Sequence, residues 1–358
     1  MPTFVDLFCG AGGLSLGLTR AGFKALLANE IERDFAETYK RNHPGTLMIE
    51  KDVREVDFNR ESDRIGLRRG TLDLVAGGPP CQGFSTVGKK ELSDPRNSLF
   101  EQFLRAVQEL SPRVVLFENV SGFKRLYRGS VFDALRQRLS DQGYRTQWSV
   151  IDAVWFGLPQ HRQRTIVVGW KGDKSFRFPE PTHGNGLLSA KPFVSLIEAI
   201  SDLPSTGPGE KHDEYLSPPK NEFQELIRSG CSKLTEHECS NYGLRMRDIL
   251  ARVPPGGTVE DLPAELRPRN YFKNTYARLV PDKPAPTITR NFGTPSSTRC
   301  IHPFQNRALT TREGARLQGF PDTYSFFGNR GSKNLQIGNA VPPIFGAILG
   351  KAILEQLI

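Results

Sequence analysis

Gly-Gly-Pro-Pro-Cys-Gln-Gly-Phe-Ser, residues 77–85, follows the apolar run 72–76 and carries a single cysteine, Cys81, on a turn. The apolar run predicts a buried strand, and the two glycines and two prolines end it abruptly and restrict the backbone around the cysteine. Ligands of open α/β sheets bind beyond the carboxyl ends of the strands, so a thiol here can meet a substrate. A free cysteine is also often a small buried hydrophobe, and the other motifs of the chain decide between these alternatives.

The start of the chain predicts a strand, a glycine turn and a helix. Residues 3–8 are apolar, Cys-Gly-Ala-Gly-Gly follows at 9–13, and a helical pattern comes next. Glycines permit a tight turn and the close approach of a ligand, and a helix N-terminus favours a carboxylate or phosphate. Glu30 ends the next apolar run about twenty residues after the first glycine, the spacing at which an acid meets ribose hydroxyls. The alternative is a plain turn followed by a solvated acid.

Two further strands predict polar side chains at the same edge of the sheet. The run 114–117 delivers Glu118, and burial there would disfavour its ionisation, so that it could donate a proton at neutral pH. Arg162 and Arg164 stand two apart before the apolar run 165–170, which predicts that both side chains point to one face. A surface acid and solvated arginines are the alternatives.

These stretches resemble, in order, the motifs of the DNA (cytosine-5)-methyltransferase family of the bacterial restriction-modification type. Residues 80–85 resemble its nucleophile motif, 6–13 its S-adenosylmethionine loop, and Glu118-Asn119-Val120 its second catalytic motif. Gln-x-Arg-x-Arg at 160–164 is similar to its arginine motif, and 307–321 and 336–343 resemble its last two motifs. The resemblance implies an α/β fold: a Rossmann-like S-adenosylmethionine-dependent methyltransferase sheet with a second, smaller irregular domain.

The resemblance also implies roles for single residues. Cys81 would be the nucleophile, Glu118 would hydrogen-bond or protonate the cytosine ring, and Arg162 and Arg164 would act at the cytosine pocket. The cofactor would be S-adenosylmethionine, with S-adenosylhomocysteine as product and no metal. Phe8 would stack on adenine, Glu30 would hold the ribose, and Asp52 would accept from the adenine amino group. The implied cofactor-binding residues are Phe8, Gly10, Ala11, Gly12, Gly13, Leu14, Glu30, Ile31, Asp52, Val53, Gly78, Asn339 and Ala340.

The stretch 83–97 is polar, rich in lysine, glycine and serine, and predicts a mobile loop before a helix at 99–110. In the family this loop closes over DNA, and the net charge of +9 favours a polyanionic partner. The implied DNA-contacting residues are Gln82, Ser85, Lys89, Lys90 and Arg96.

Strand and helix alternate up to about residue 185, after which proline, glycine and polar residues dominate. We predict a discontinuous catalytic and cofactor-binding domain, 1–185 plus 330–358, and a small domain, 186–329, with a target-recognition region at about 205–300. Pro343 suits the first position of a final helix with Ile344, Ala347, Ile348 and Ala352 on one stripe.

The odd, scattered set of five cysteines suggests a reducing cytoplasm, in a bacterial or phage-infected cell. Cys231, His237 and Cys239 lack the Cys-x-x-Cys spacing of a zinc site, so we expect no metal. No apolar run approaches membrane-spanning length, and we expect no membrane association. The expected partners are double-stranded DNA and a cognate restriction endonuclease acting on the same site, and the expected state is a monomer.

The predicted reaction is methyl transfer to carbon 5 of a flipped-out cytosine in a short sequence of double-stranded DNA, through a covalent Cys81 adduct. One alternative is a tRNA cytosine-5 methyltransferase, although that relative usually reads Pro-Cys-Gln-Pro-Phe and this chain has Gly83 at the second proline. The other is a DNA-binding regulator that has lost catalysis, against which intact Cys81 and Glu118 speak.

Overall fold

The structure is a computed structural model of the chain and describes residues 1–80, 99–184, 190–297 and 299–358. Cys81 and the predicted DNA-contacting residues lie outside the described residues, as does the predicted boundary at 185. Two compact units are present: the first comprises Met1–Asp152, Gln163–Glu180 and Phe345–Ile358, and the second comprises Ala153–Arg162 and Pro181–Ile344. The domain bounds inferred from the sequence stay a prediction.

Within the described residues, seven strands of the first unit form one sheet in the order β3-β2-β1-β4-β5-β7-β6. The strands are β1 Thr3–Leu7, β2 Lys24–Asn29, β3 Leu47–Ile49, β4 Leu74–Gly77, β5 Val114–Val120, β6 Arg145–Asp152 and β7 Gln163–Trp170. Strands β1 to β5 pair in parallel, and β7 runs antiparallel to β5 and β6. The strand order reverses between β1 and β4, so their carboxyl ends flank the crevice in which such sheets bind ligands. The predicted α/β fold class is confirmed.

Helices join the parallel strands, as parallel pairing requires. They are α1 Gly13–Ala21, α2 Arg33–Asn42, α3 Phe58–Arg64, α4 Leu99–Leu110 and α5 Ser130–Asp141. Phe103 of α4 is fully buried against Phe117 of β5, with ring centroids 5.3 Å apart. Gly77 ends β4 in contact with β1, because a Cβ there would lie only 2.6 Å from the carbonyl oxygen of Leu7. The glycine that ends the strand is therefore also required by strand packing.

The second unit contains mostly short helices and irregular segments. Its described elements are α6 Leu196–Ile200, β8 Lys211–His212, α7 Glu222–Arg228, β9 His237–Glu238, α8 Leu244–Arg252, α9 Thr311–Leu317 and α10 Arg330–Asn339. Buried ion pairs connect segments that have little regular structure: Arg307 binds Glu313 at 2.7 Å, and Arg316 binds Asp322 at 2.6 Å. Buried charges need partners of this kind, because a charge left unpaired in the interior is strongly destabilising.

The last helix, α11 Pro343–Leu357, begins at the predicted proline. Its predicted inner stripe is only partly right: Ala352 is buried, but Ile344, Ala347 and Ile348 are only half-buried, and the buried residues include Phe345, Leu349 and Ile353. The reason is close packing on α1. A Cβ at Gly346 would lie 3.1 Å from the carbonyl oxygen of Leu14, so the face of α11 that contains this small residue packs against α1.

Among the described residues, one stretch, Arg330–Leu357, is long and apolar enough to cross a membrane, with a mean hydropathy of 1.5 over its most apolar window. The expectation that no run reaches this length therefore has one exception. It is weak evidence for a membrane span, because 61% of that window is buried inside the structure and a core helix passes the same test. The helix is also interrupted, since α10 ends at Asn339 and α11 begins at Pro343.

Candidate active site

The loop after β1 is a tight turn built on left-handed backbone. Phe8 has a φ of 57°, Gly10 of 56° and Gly12 of 86°. Glycine adopts these angles at little cost, whereas Phe8 is strained, and strain of this kind is concentrated at ligand sites. Helix α1 begins at Gly13, so its unpaired N–H groups lie at the end of the loop. The predicted cofactor loop thus has the backbone that a closely approaching ligand needs.

Glu30 is buried at the end of β2, and backbone groups hold its carboxylate. Gly10 N donates to Oε2 at 2.9 Å, and Ile31 N and Glu32 N each donate to Oε1 at 2.9 Å. Burial raises the pKa of Glu30, and these hydrogen bonds partly oppose the rise. The carboxylate therefore connects the loop after β1 with the residues after β2, which is the position predicted for a ribose-binding acid.

Asp52 lies at the start of a 3-10 turn, Val53–Glu55, where its Oδ1 accepts from Arg54 N at 2.9 Å. The hydrogen bond from the Arg54 guanidinium lowers the pKa of Asp52. Val53 is buried and Ile31 is exposed. The carboxylate of Asp52 is therefore ionised and ion-paired, and its role toward an adenine amino group stays a prediction.

A buried polar network under the cofactor loop was missed by the sequence analysis. Ser15 Oγ donates to Asp6 Oδ2 at 2.6 Å and lies 2.8 Å from Tyr39 Oη. Burial, opposed by the hydrogen bond from Ser15 and assisted by the nearby charge of Glu30, raises the pKa of Asp6 to about 7. Burial lowers the pKa of His43 to about 4, so its ring is neutral and donates from Nε2 to the carbonyl oxygen of Gly12 at 3.2 Å. An aspartate inside the apolar run 3–8 was the available signal, since polar residues there need buried partners.

The carboxyl end of β5 brings three predicted residues together. Glu118 is buried, and its Oε1 forms an ion pair with the guanidinium of Arg164, whose Nε lies 2.8 Å away. A Cβ at Gly78 would lie 2.8 Å from Glu118 Oε2, so a larger residue here would displace this carboxyl. Asn119 Nδ2 donates to the carbonyl oxygen of Pro79 at 3.0 Å. Gly78 and Pro79, which shortly precede Cys81, therefore approach Glu118 and Asn119 of the second catalytic motif. The guanidinium of Arg164 also lies next to Glu118, a charge that the prediction from burial did not include.

Arg162 has entirely different contacts. It is fully buried in the second unit, where its guanidinium donates to the carbonyl oxygens of Ile288 at 3.2 Å, Gly338 at 3.0 Å and Ala340 at 2.8 Å. The argument from strand alternation fails for Arg162, because β7 begins at Gln163 and contains only Arg164. Two of its partners flank Asn339, a predicted cofactor-binding residue, so Arg162 stabilises the end of α10. Its action at the cytosine pocket stays a prediction.

In the described part of the chain, no group of three or more His, Cys, Asp and Glu residues is arranged to hold a metal ion. His237 is buried among neutral partners: Thr206 Oγ1 at 2.8 Å, Thr310 Oγ1 at 3.0 Å and the carbonyl oxygen of Pro204 at 2.8 Å. These contacts give His237 a structural role. The absence of a metal from the reaction stays a prediction.

The sheet order, the strained glycine turn after β1 and the backbone-held acid after β2 together define an S-adenosylmethionine-dependent methyltransferase fold. The profile described as C-5 cytosine-specific DNA methylase matches residues 2–355, and the chain belongs to that family. The predicted family is thus confirmed.

Type II methyltransferases are similar in sequence to this protein over nearly the whole chain. The type II methyltransferase M.DdeI of Desulfomicrobium norvegicum is 35% identical over 98% of this chain and 88% of its own length. The type II methyltransferase M1.HphI of Haemophilus parahaemolyticus is 34% identical over 99% of this chain and 87% of its own length. A crystal structure titled as an E. coli DNA modification methyltransferase encoded within a prophage superposes with a TM-score of 0.80 at 27% identity, covering 100% of this chain and 99% of that one.

The protein is therefore a DNA (cytosine-5)-methyltransferase of the bacterial restriction-modification type. Membership of this family implies DNA as the substrate and S-adenosylmethionine as the methyl donor.

Proposed function

We propose that the enzyme methylates carbon 5 of a cytosine flipped out of duplex DNA within one short recognition sequence, through a covalent adduct between Cys81 and ring carbon 6. The observation that carries the proposal is the contact of Glu118 with both Arg164 and Gly78, three residues before Cys81. Flipping is required because the ring carbons of a stacked base cannot be reached by a thiolate and a methyl donor.

Carbon 5 of cytosine is a weak nucleophile, and addition of a thiolate to carbon 6 makes it electron-rich. The negative charge that develops on the ring needs a hydrogen bond or proton at nitrogen 3, and we assign this role to Glu118. Once carbon 5 carries the methyl group that S-adenosylmethionine would supply, with S-adenosylhomocysteine as the product, loss of the carbon 5 proton to solvent and elimination of the Cys81 thiolate would release the methylated base and regenerate the enzyme.

Arg164 is suited to hold both Glu118 and the base. Its guanidinium is ion-paired with Glu118, and its Nη1 donates to the carbonyl oxygen of Gln163 at 2.8 Å. Among the described residues its Nη2 has no partner, so its N–H groups are available for the cytosine carbonyl oxygen. We propose this contact as the one that orients the ring between Cys81 and Glu118.

The donor set of the first unit fits S-adenosylmethionine. The methyl group that this cofactor supplies is electrophilic, because it is bound to a sulfonium centre. Glu30 has one carboxylate fixed by three backbone N–H groups, which leaves oxygen lone pairs for ribose hydroxyls. The left-handed turn at Gly10 and Gly12 admits a ligand at the backbone, where a side chain would intrude.

The test combines a trapping substrate with a matched pair of cysteine variants. Duplex DNA containing 5-fluorocytosine cannot lose its carbon 5 substituent, so the wild-type enzyme with S-adenosylmethionine should form an adduct that survives denaturation. Cys81→Ser should form none and should lose at least about 10³-fold in turnover, while calorimetry gives unchanged cofactor affinity. Cys231→Ser, in the second unit, should behave as wild type.

Near-normal turnover of Cys81→Ser would remove Cys81 from the mechanism. Bisulfite sequencing of a plasmid treated with the wild-type enzyme supplies the recognition sequence as one recurring context of resistant cytosines. Methyl transfer to tRNA but not to duplex DNA would contradict the proposed substrate, and cofactor binding without transfer to either would indicate a non-catalytic regulator.

A further inference from the structure

A basic segment follows the catalytic end of β5. Residues 121–129, Ser-Gly-Phe-Lys-Arg-Leu-Tyr-Arg-Gly, contain three cations and no carboxylate. Val120, which precedes them, is 46% exposed and pairs with Arg164 in the register of β5 and β7. The 121–129 segment therefore begins three residues after Glu118, directly after the strand that carries this acid.

The backbone of the 121–129 segment has an unusual conformation. Tyr127 has φ 45° and ψ 47°, Arg128 has φ 61° and ψ 23°, and Gly129 has φ 97°, so three successive residues are left-handed. Glycine or asparagine would adopt these angles more readily than tyrosine or arginine. Backbone preference therefore does not account for an arginine at position 128, and a function of the arginine side chain would account for it.

Aromatic contacts anchor the segment at one end and leave its charges at the surface. Phe123 is fully buried, with its ring centroid 5.2 Å from that of Phe117. Lys124 Nζ lies 5.1 Å from the ring centroid of Trp148, which is 36% exposed and packs on Phe132 at 5.0 Å. A cation over an indole face keeps its charge and its N–H donors. The lysine is thus held in place and remains able to bind an anion.

Within the described residues, none of Lys124, Arg125 and Arg128 forms an ion pair. Other cations of the first unit do so, for example Arg105 with Glu109 at 2.9 Å and Arg113 with Asp73 at 3.2 Å. Arg125 and Arg128 are exposed. Three positive charges without ion pairs, in the segment that directly follows the strand of Glu118, form a surface that complements a polyanion.

We infer that the 121–129 segment binds phosphates of the DNA backbone near the target cytosine, through Lys124, Arg125 and Arg128. The inference rests on the proposed function, which brings duplex DNA to Glu118. Lysine and arginine are the side chains that contact phosphates, and such contacts set the position and affinity of the DNA without reading its sequence. The segment therefore contributes to affinity and not to the choice of recognition sequence.

The experiment measures the salt dependence of binding to a short duplex that contains the methylated sequence. The log–log slope of affinity against salt loses about 0.9 for each phosphate contact removed. Arg125→Gln/Arg128→Gln should therefore reduce the slope by about 2 and weaken binding roughly tenfold at physiological salt, a fold-change we expect from losing two such contacts. Cofactor affinity, the turnover rate at saturating DNA and the methylated context should stay as in wild type.

The matched control is Lys24→Gln/Arg145→Gln. It removes two exposed cations at the amino ends of β2 and β6, the opposite edge of the same sheet, and should leave the slope unchanged. Arg128→Asn is a second test, because asparagine tolerates the left-handed backbone: it should reduce the slope by about 1 without lowering the unfolding midpoint. Arg128→Lys should restore the slope.

A wild-type slope in the double variant would overturn the inference, and so would an equal loss in the control. A loss of binding in Arg128→Asn that is matched by a lower unfolding midpoint would show a folding role instead. If the wild-type enzyme methylates no duplex DNA, both the proposed function and this inference fail. If instead the variants are active and bind DNA with the wild-type slope, only this inference fails.

Discussion

Glu30 and Glu118 are both buried carboxylates at the carboxyl ends of parallel strands, yet they are held in different ways. Three backbone N–H groups fix Glu30, whereas Glu118, within the described part of the chain, is ion-paired with one side chain, Arg164. Backbone donors cannot move away without unfolding the loop, but a guanidinium can exchange one partner for another. Glu30 is therefore held rigidly by the backbone, whereas the side-chain contact of Glu118 is free to rearrange, as the proposed entry of a cytosine would require.

The largest expected effect comes from changing Glu118, the carboxylate held by a side chain. Glu118→Gln keeps the shape of the side chain and an oxygen that can accept from Arg164, but it removes the group that can hold a proton. We expect single-turnover methyl transfer to fall by about 10²–10⁴-fold, the usual contribution of general acid–base catalysis. Calorimetry should give unchanged affinity for S-adenosylmethionine. A rate within threefold of wild type would show that the acid at the end of β5 is structural.

Changing the rigid carboxylate should act on binding instead of on chemistry. Glu30→Ala removes the acceptor of three N–H groups and the contact predicted with ribose, so the cofactor dissociation constant should rise by about 10–100-fold, as for loss of a hydrogen bond to a charged group. DNA affinity should change less than twofold. Glu32→Ala is the matched control, since its backbone N–H still donates to Glu30. Unchanged cofactor affinity in Glu30→Ala would remove this residue from the ribose site.

The smallest expected effect concerns Asp6 in the buried polar network below the loop after β1. It appears only as a pH dependence of the free energy of unfolding. The pKa of Asp6 is about 7 in the folded protein and 3.8 by default in the unfolded chain, so the folded state binds the extra proton between these values. Its contribution to stability is therefore full below about pH 4 and is lost as the pH rises to about 7, with a slope of at most about 1.4 kcal/mol per pH unit.

Asp6→Asn checks this sign, because asparagine can still accept from Ser15 and does not titrate. The free energy of unfolding of wild type minus that of the variant should fall between about pH 4 and 7 and then level off. Asp173→Asn, which removes an exposed carboxyl, is the charge-matched control. A difference that is flat with pH would mean that Asp6 is ionised in the folded state.

Much of the first unit follows from local sequence. The helix 99–110 is predicted with the bounds it has in the structure, because a helical pattern and a breaker such as Ser111-Pro112 act on their nearest neighbours. The glycine turn after β1 and the acids after β2 and β5 are also predicted, since each stands directly after a recognisable strand. Their family roles come from the order of short motifs.

The sequence by itself determined which residues stand at the strand ends and which family motifs they form. Only the tertiary structure decided that Arg164 binds Glu118 while Arg162 binds backbone carbonyls, that Asp6 is buried beside Glu30, and which stripe of α11 faces the core. The physical reason is the sequence separation of the residues that interact. Turns and strand ends depend on neighbouring residues, but these contacts depend on the antiparallel register of β5 with β7 and on packing between segments far apart in the chain, which no local pattern records.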